Sequence, residues 1–135
     1  FVFVGFFLLK QSKEREEILL SEKYIKAGIL FSNGKTIDAK NYYEELILSK
    51  NKAYSLLSLN NIIEKNLIEN EERIIELFDI LEKSNFNQNY LDLVYLKKAL
   101  YLMKIQNQQK ANNLLKRLIE QNSNLKFIAQ ELLKN

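Results

Sequence analysis

Ser21 to Lys52 reads SEKYIKAGILFSNGKTIDAKNYYEELILSKNK, and this stretch decides the fold. Apolar residues recur at helical spacing up to Ser32, where Asn33-Gly34 interrupts them. Glycine enters the left-handed backbone region without a steric penalty, so this pair is a helix stop. Beyond it, Thr36 is placed to N-cap a second helix, and Asp38 falls in a first turn where the helix dipole favours an acid. The second helix runs through Ala39, Tyr42, Tyr43, Leu46 and Ile47 and ends around Ser49 to Asn51. A helical hairpin is expected.

Upstream, Gln11 to Glu17 (QSKEREE) forms a charged collar. It continues as helix, because Ile18, Leu19, Glu22, Ile25 and Ile29 extend a helical stripe. Before it, Phe1 to Leu9 is an uninterrupted apolar run closed by Lys10, with no initiator Met. At 1.5 Å per residue the run covers about 14 Å, roughly half of a bilayer core. It fits a buried core segment, the hydrophobic part of a signal peptide, or the exit half of a transmembrane helix. No small-x-small cleavage site follows, against a signal peptide. A core helix would normally carry a polar face. The favoured expectation is a transmembrane anchor ending within residues 1–10, a juxtamembrane helix over 11–20, and a helical domain over 21–135.

Downstream, Tyr54 to Lys65 is a helix with a broad apolar face, and Asn66 to Asn70 makes a turn. Asn70 followed by Glu71 and Glu72 is a cap with an acidic first turn, opening a helix that breaks at Ser84 to Asn87. Leu91 to Ile105 is strongly apolar, Gln106 to Gln109 turns, and Ala111, Leu114, Leu115, Leu118 and Ile119 line the partner helix. Leu125 to Leu133 opens one more helix. The expected hairpins are 21–52, 54–84 and 90–122, with an incomplete fourth from 124.

Periodicity is the strongest internal signal. Ala27 and Ala39 are matched by Ala99 and Ala111, both 72 residues further on, twice 36. That spacing fits a helical-hairpin repeat close to the tetratricopeptide unit, in which small residues let helices A and B approach. Gly34 supplies the turn, and Tyr43 and Leu115 the large residue one turn later. The middle unit departs, placing Ile63 and Ile75 at the corresponding points. Asn51 and Ser123 stand where a repeat-ending Pro is expected. The bland alternative is an ordinary antiparallel bundle. The fold class expected is all-α: tetratricopeptide-repeat-like hairpins stacked as a short right-handed superhelix after the end of a transmembrane helix.

Composition agrees with all-α: the 135 residues hold three Gly and no Pro, too few turn formers for a sandwich or barrel. A net charge of +3 is mild, the lysines are interleaved with glutamates, and Arg15, Arg73 and Arg117 are dispersed. This is a solvated surface rather than a nucleic-acid footprint. With no Cys and no His, disulfides, thiol nucleophiles, and the commonest base and metal ligand are gone. Glu44-Glu45 and Glu71-Glu72 are sequence neighbours, which a helix splays apart instead of pairing. No catalytic, cofactor or metal site is expected, and the chain is read as a non-enzyme.

The N-terminal apolar segment, SEKYIKAGILFSNGKTIDAKNYYEELI, a degenerate middle hairpin, LDLVYLKKALYLMKIQNQQKANNLLKRLIEQNS and LKFIAQELLKN together resemble one family. It is the YfgM-like ancillary SecYEG translocon subunit family, tetratricopeptide-like proteins with one N-terminal helix in the bacterial inner membrane. The resemblance implies a periplasm-facing domain that associates with the SecYEG translocon and with a PpiD-like periplasmic chaperone. Members usually continue past the stretch matched by Phe127, Ala129, Glu131 and Leu132 into another short hairpin, so a fragment or shortened member is implied. Self-association stays open. The rival readings are a soluble cytoplasmic tetratricopeptide adaptor whose N-terminal run is core, and a basic helical nucleic-acid binder.

In such a stack helix A of each unit lines the concave face. The register places Tyr24 and Phe31 there from the first unit, Leu57, Asn60, Asn61 and Glu64 from the second, and Leu96, Lys97, Leu100 and Lys104 from the third. An apolar floor with a few amides and ammonium groups suits weak, adaptable protein contacts. Leu96 and Leu100 serve equally well as core. A carboxylate clamp of the co-chaperone type is not expected, because Tyr24 and Gly28 occupy two of its places.

Overall fold

The computed structural model describes residues 2–135; Phe1, part of the expected anchor, lies outside them. The chain is all-helical: α1 Val2–Ser32, α2 Thr36–Leu48, α3 Ser55–Glu64, α4 Glu71–Glu82, α5 Gln88–Lys104, α6 Gln108–Glu120 and α7 Lys126–Lys134. These fall into two compact units, Phe1–Ile68 and Glu69–Asn135. The boundary cuts the expected second hairpin between its two helices.

In the first unit, α1 and α2 form the hairpin expected of Ser21 to Lys52. Ala27 and Ala39 are fully buried, as are Leu46 and Ile47, with Tyr43 nearly so. Gly34 sits at φ 77°. Its N–H donates to the Phe31 carbonyl at 3.0 Å, and the Lys35 N–H to the Leu30 carbonyl at 2.9 Å. This is a Schellman stop, which satisfies carbonyls the helix end would otherwise orphan. The chain then enters α2 at once. Thr36 is therefore the first residue of α2 and not its cap; Lys35 holds the cap position without a side-chain bond.

Asn51, in the place of the expected Pro, organises the next turn. Its Oδ1 accepts from the N–H groups of Ala53 (2.9 Å) and Tyr54 (3.1 Å), while its Nδ2 donates to Glu17 Oε1 at 2.9 Å. Buried Ser55 then ties the start of α3 to α2, its hydroxyl donating to the Leu46 carbonyl at 3.2 Å.

Helix α1 is unbroken from the apolar run through the charged collar into the hairpin. The stripe expected to continue its packing is reversed in the structure. Ile18, Leu19, Ile25 and Ile29 are each more than half exposed, and the buried side passes through Ala27. Leu20, Tyr24, Leu30 and Phe31 are half-buried. Tyr24 wins the inward place because its ring reaches Tyr43 and Tyr54. Val2 to Leu9 project free of the unit, with large side chains 58–90% exposed. Among the described residues, no helix is long and apolar enough to cross a membrane.

The second unit repeats the geometry. α6 has the 13 residues of α2 and starts 72 positions later. Gln106 (φ 63°) and Asn122 (φ 53°) adopt the left-handed conformation that Gly34 and Lys50 (φ 55°) adopt in the first unit. Ala99 and Ala111 are fully buried, like their counterparts. Ser123, at the second expected Pro, turns the chain as Asn51 does: its Oγ accepts the Leu125 N–H at 3.1 Å. The core gathers Tyr95, Leu96, Ala99, Leu115, Leu118 and Ala129, with Leu114, Ile119 and Leu132 against it.

The side chains of Asn70, Asn87 and Asn107 accept the N–H groups of Arg73, Tyr90 and Lys110, capping α4, α5 and α6. Capping by Asn87 starts α5 three residues before the expected Leu91. The middle of the chain departs from the expected 36-residue register because α3 has only 10 residues, ending at Glu64 before the left-handed Asn66 (φ 52°). The positions buried are consequently Leu59 and Ile74, while Ile63 and Ile75 are half-buried.

Candidate functional site

The first unit carries an open groove of about 610 Å³, lined by Tyr24, Ile25, Gly28, Ile29, Phe31 and Ser32 of α1, with Asn33, Tyr43, Asn61 and Lys65. Its wall is aromatic. The Tyr24 ring meets Tyr43 edge-on at 6.0 Å and tilts against Tyr54 at 5.5 Å. Burial, with the nearby Tyr24 second, pushes the Tyr43 phenol above its ordinary value.

Asn61 closes the wall from α3. Its Nδ2 donates to the Tyr24 hydroxyl at 2.9 Å and to the Leu57 carbonyl at 3.0 Å. The Lys65 ammonium lies over the Phe31 ring, 5.0 Å from its centroid. Ile25 and Ile29 form the floor, 59% and 55% exposed. Gly28, mid-helix between them, adds no side chain to the floor; a Cβ there would come 3.9 Å from the Tyr43 hydroxyl.

Of the residues expected on a concave face, the groove brings together Tyr24, Phe31 and Asn61. Leu57 and Glu64 are exposed on α3 and Asn60 is half-buried, all outside the lining. Leu96 is corrected: it is 6% exposed and belongs to the core of the second unit, packed with Ala99, Leu115 and Ala129. It therefore offers nothing to a partner. Lys97 is half-buried, and Leu100 and Lys104 are exposed on the same helix.

Ile25, Ile29 and Lys65 are among the groove residues that the sequence reading left out of the binding face. The isoleucines had a signal, since a second apolar stripe beside a hairpin's packing face has no partner within the hairpin. Lys65 had none.

The second unit has a smaller depression of about 340 Å³, lined by Ile75, Asp79, Lys98, Leu102, Lys110, Asn113 and Leu114. Lys98 is committed there, bonded to Asp79 Oδ1 at 2.7 Å and Glu82 Oε1 at 2.8 Å. Burial alone would lower its pKa, but the bonds to the two carboxylates outweigh this and raise it. This is an α4–α5 clamp. Among the described residues, no group of three or more acids could hold a metal ion.

No family model, curated protein or solved structure matches the chain.

Proposed function

We propose that the chain is a non-catalytic, membrane-tethered adaptor with tetratricopeptide-like hairpins, resembling the ancillary Sec translocon subunits that assist periplasmic chaperones. The groove of the first unit is the observation that carries this reading. It exposes two isoleucines, Ile25 and Ile29, beside the half-buried aromatic rings of Tyr24 and Phe31. Surface of this kind is what a protein partner covers.

The tether is supported by Val2 to Leu9, apolar on every side of the helix and exposed. A helix apolar all round needs lipid or a protein interior to cover it. The rival soluble adaptor places this run in its own core, and that exposure counts against it. Anchoring raises the local concentration of partners, so that a shallow groove with weak contacts suffices. On this reading the domain faces the periplasm from a single-pass anchor, with SecYEG and a PpiD-like chaperone as partners by resemblance.

The test is a photoreactive residue at Tyr24 or Asn61 in native membranes. Crosslinks to a Sec or chaperone component are expected. Recovery of neither discredits the translocon assignment while leaving the hairpin fold intact.

A further inference from the structure

We propose that the groove takes an apolar peptide segment bearing an acidic residue, whose carboxylate pairs with the Lys65 ammonium. This rests on the docking reading above and specifies the chemistry of the occupant.

The polar inventory of the groove sets the preference. Both Asn61 Nδ2 bonds are spent within the unit, on Tyr24 and Leu57. The Ser32 hydroxyl donates to the Gly28 carbonyl at 3.1 Å. Neutral donors remain on the Tyr24 and Tyr43 hydroxyls and the Asn33 amide, and Lys65 adds three charged N–H groups. Lys65 forms no ion pair with a carboxylate among the described residues; its contact is the Phe31 ring. No Asp or Glu lines the groove, and the neighbouring acids Glu22 and Glu64 lie outside it.

An apolar floor edged by donors and one unspent cation complements an apolar segment with an anionic acceptor. A basic segment meets a like charge, and a wholly apolar one desolvates the ammonium without compensation. The aromatic face under Lys65 already removes part of its hydration, which strengthens a pair formed there.

A second groove on the first unit shows the contrast. It is lined by Lys26, Lys35, Asp38 and Glu45 among others. Both signs are present, and Glu45 is already paired with Lys23 at 2.6 Å. It expresses no preference for either charge.

The test uses the full chain and three labelled peptides that share one leucine and phenylalanine pattern, with aspartate, serine or lysine at the intervening positions. Fluorescence anisotropy at low salt is expected to show the aspartate peptide binding about tenfold tighter than the lysine peptide. Lys65→Glu reverses that order, and Lys65→Met removes the difference with the helical circular dichroism unchanged. Equal affinity for all three peptides overturns the acidic preference and leaves the docking reading standing. Binding by none overturns both.

Discussion

The Asn61 Nδ2 donates to the Tyr24 hydroxyl at 2.9 Å across 37 residues of sequence. This bond joins α3 to α1 and holds the Tyr24 ring against Tyr43 and Tyr54, so it shapes the groove wall. Tyr24→Phe and Asn61→Ala are each expected to cost about 0.5–1.5 kcal/mol. Because both remove one bond, the double variant is expected to lose less than the sum. Urea unfolding of the four proteins measures this; strict additivity would show that the bond contributes nothing to stability.

Two glycines six residues apart, Gly28 and Gly34, are expected to respond to alanine with opposite signs. Gly34 is held at φ 77° by the Schellman stop, and Gly34→Ala is expected to destabilise by about 1–2 kcal/mol. Gly28 is mid-helix, and its added methyl would meet Tyr43 at 3.9 Å, an ordinary contact. Gly28→Ala is expected to stabilise by about 0.5–1 kcal/mol. Thermal melts of the two variants check the signs.

Stability is expected to fall steeply in alkali. Tyr43 and Tyr101 are raised above 10.0 by burial first, with Tyr24 and Glu71 adding respectively, and Lys98 is raised above 10.5 by its carboxylate partners against the effect of burial. In all three the folded state holds its proton more tightly than the unfolded chain. Their contribution is complete below the unfolded pKa and is lost as pH climbs through the folded one. The urea midpoint should therefore drop as the pH rises beyond the ordinary tyrosine and lysine values of 10.0 and 10.5. Lys98→Met should flatten part of the drop, at a cost near neutral pH of about 1–3 kcal/mol from the stranded Asp79 and Glu82.

Much of this was legible in the sequence, and the failures have physical causes. Gly34, Asn66 and Asn122 announce left-handed stops, since Gly and Asn tolerate that region. Lys50 and Gln106 adopt it as well, without any preference legible in their residue types. The alanines at 27, 39, 99 and 111 are buried as their spacing implies, because close helix approach admits little else. Leu96 and Leu100 look alike in sequence, one turn apart. Only the crossing of α6 and α7 buries the first and leaves the second 39% exposed. Ile25 and Ile29 were read with the packing stripe, which tertiary contacts of Tyr24 gave to the other face. The middle register slipped because a helix ending at Glu64 is shorter than its neighbours α2 and α4, and period counting cannot see a shortened element.

Hydrogen exchange should vary along α1. Its residues before Arg15 are all exposed among those described, and isolated helical turns are marginal in water. Amides before Arg15 are expected to exchange fast and those from Leu20 to Ser32 slowly. Phospholipid vesicles should protect Val2 to Leu9 selectively if that run enters lipid. Absence of such protection would count against the tether.

The most direct test of the groove is charge placed on its floor. Ile25→Asp with Ile29→Asp alters two side chains that are more than half exposed, so helical content and melting temperature should stay near those of the parent. The measurement is recovery of translocon and chaperone components by the tagged protein from gently solubilised native membranes. Loss of those components with the fold preserved is the predicted result. Undiminished recovery by the double variant would contradict the assignment of this groove as the docking site.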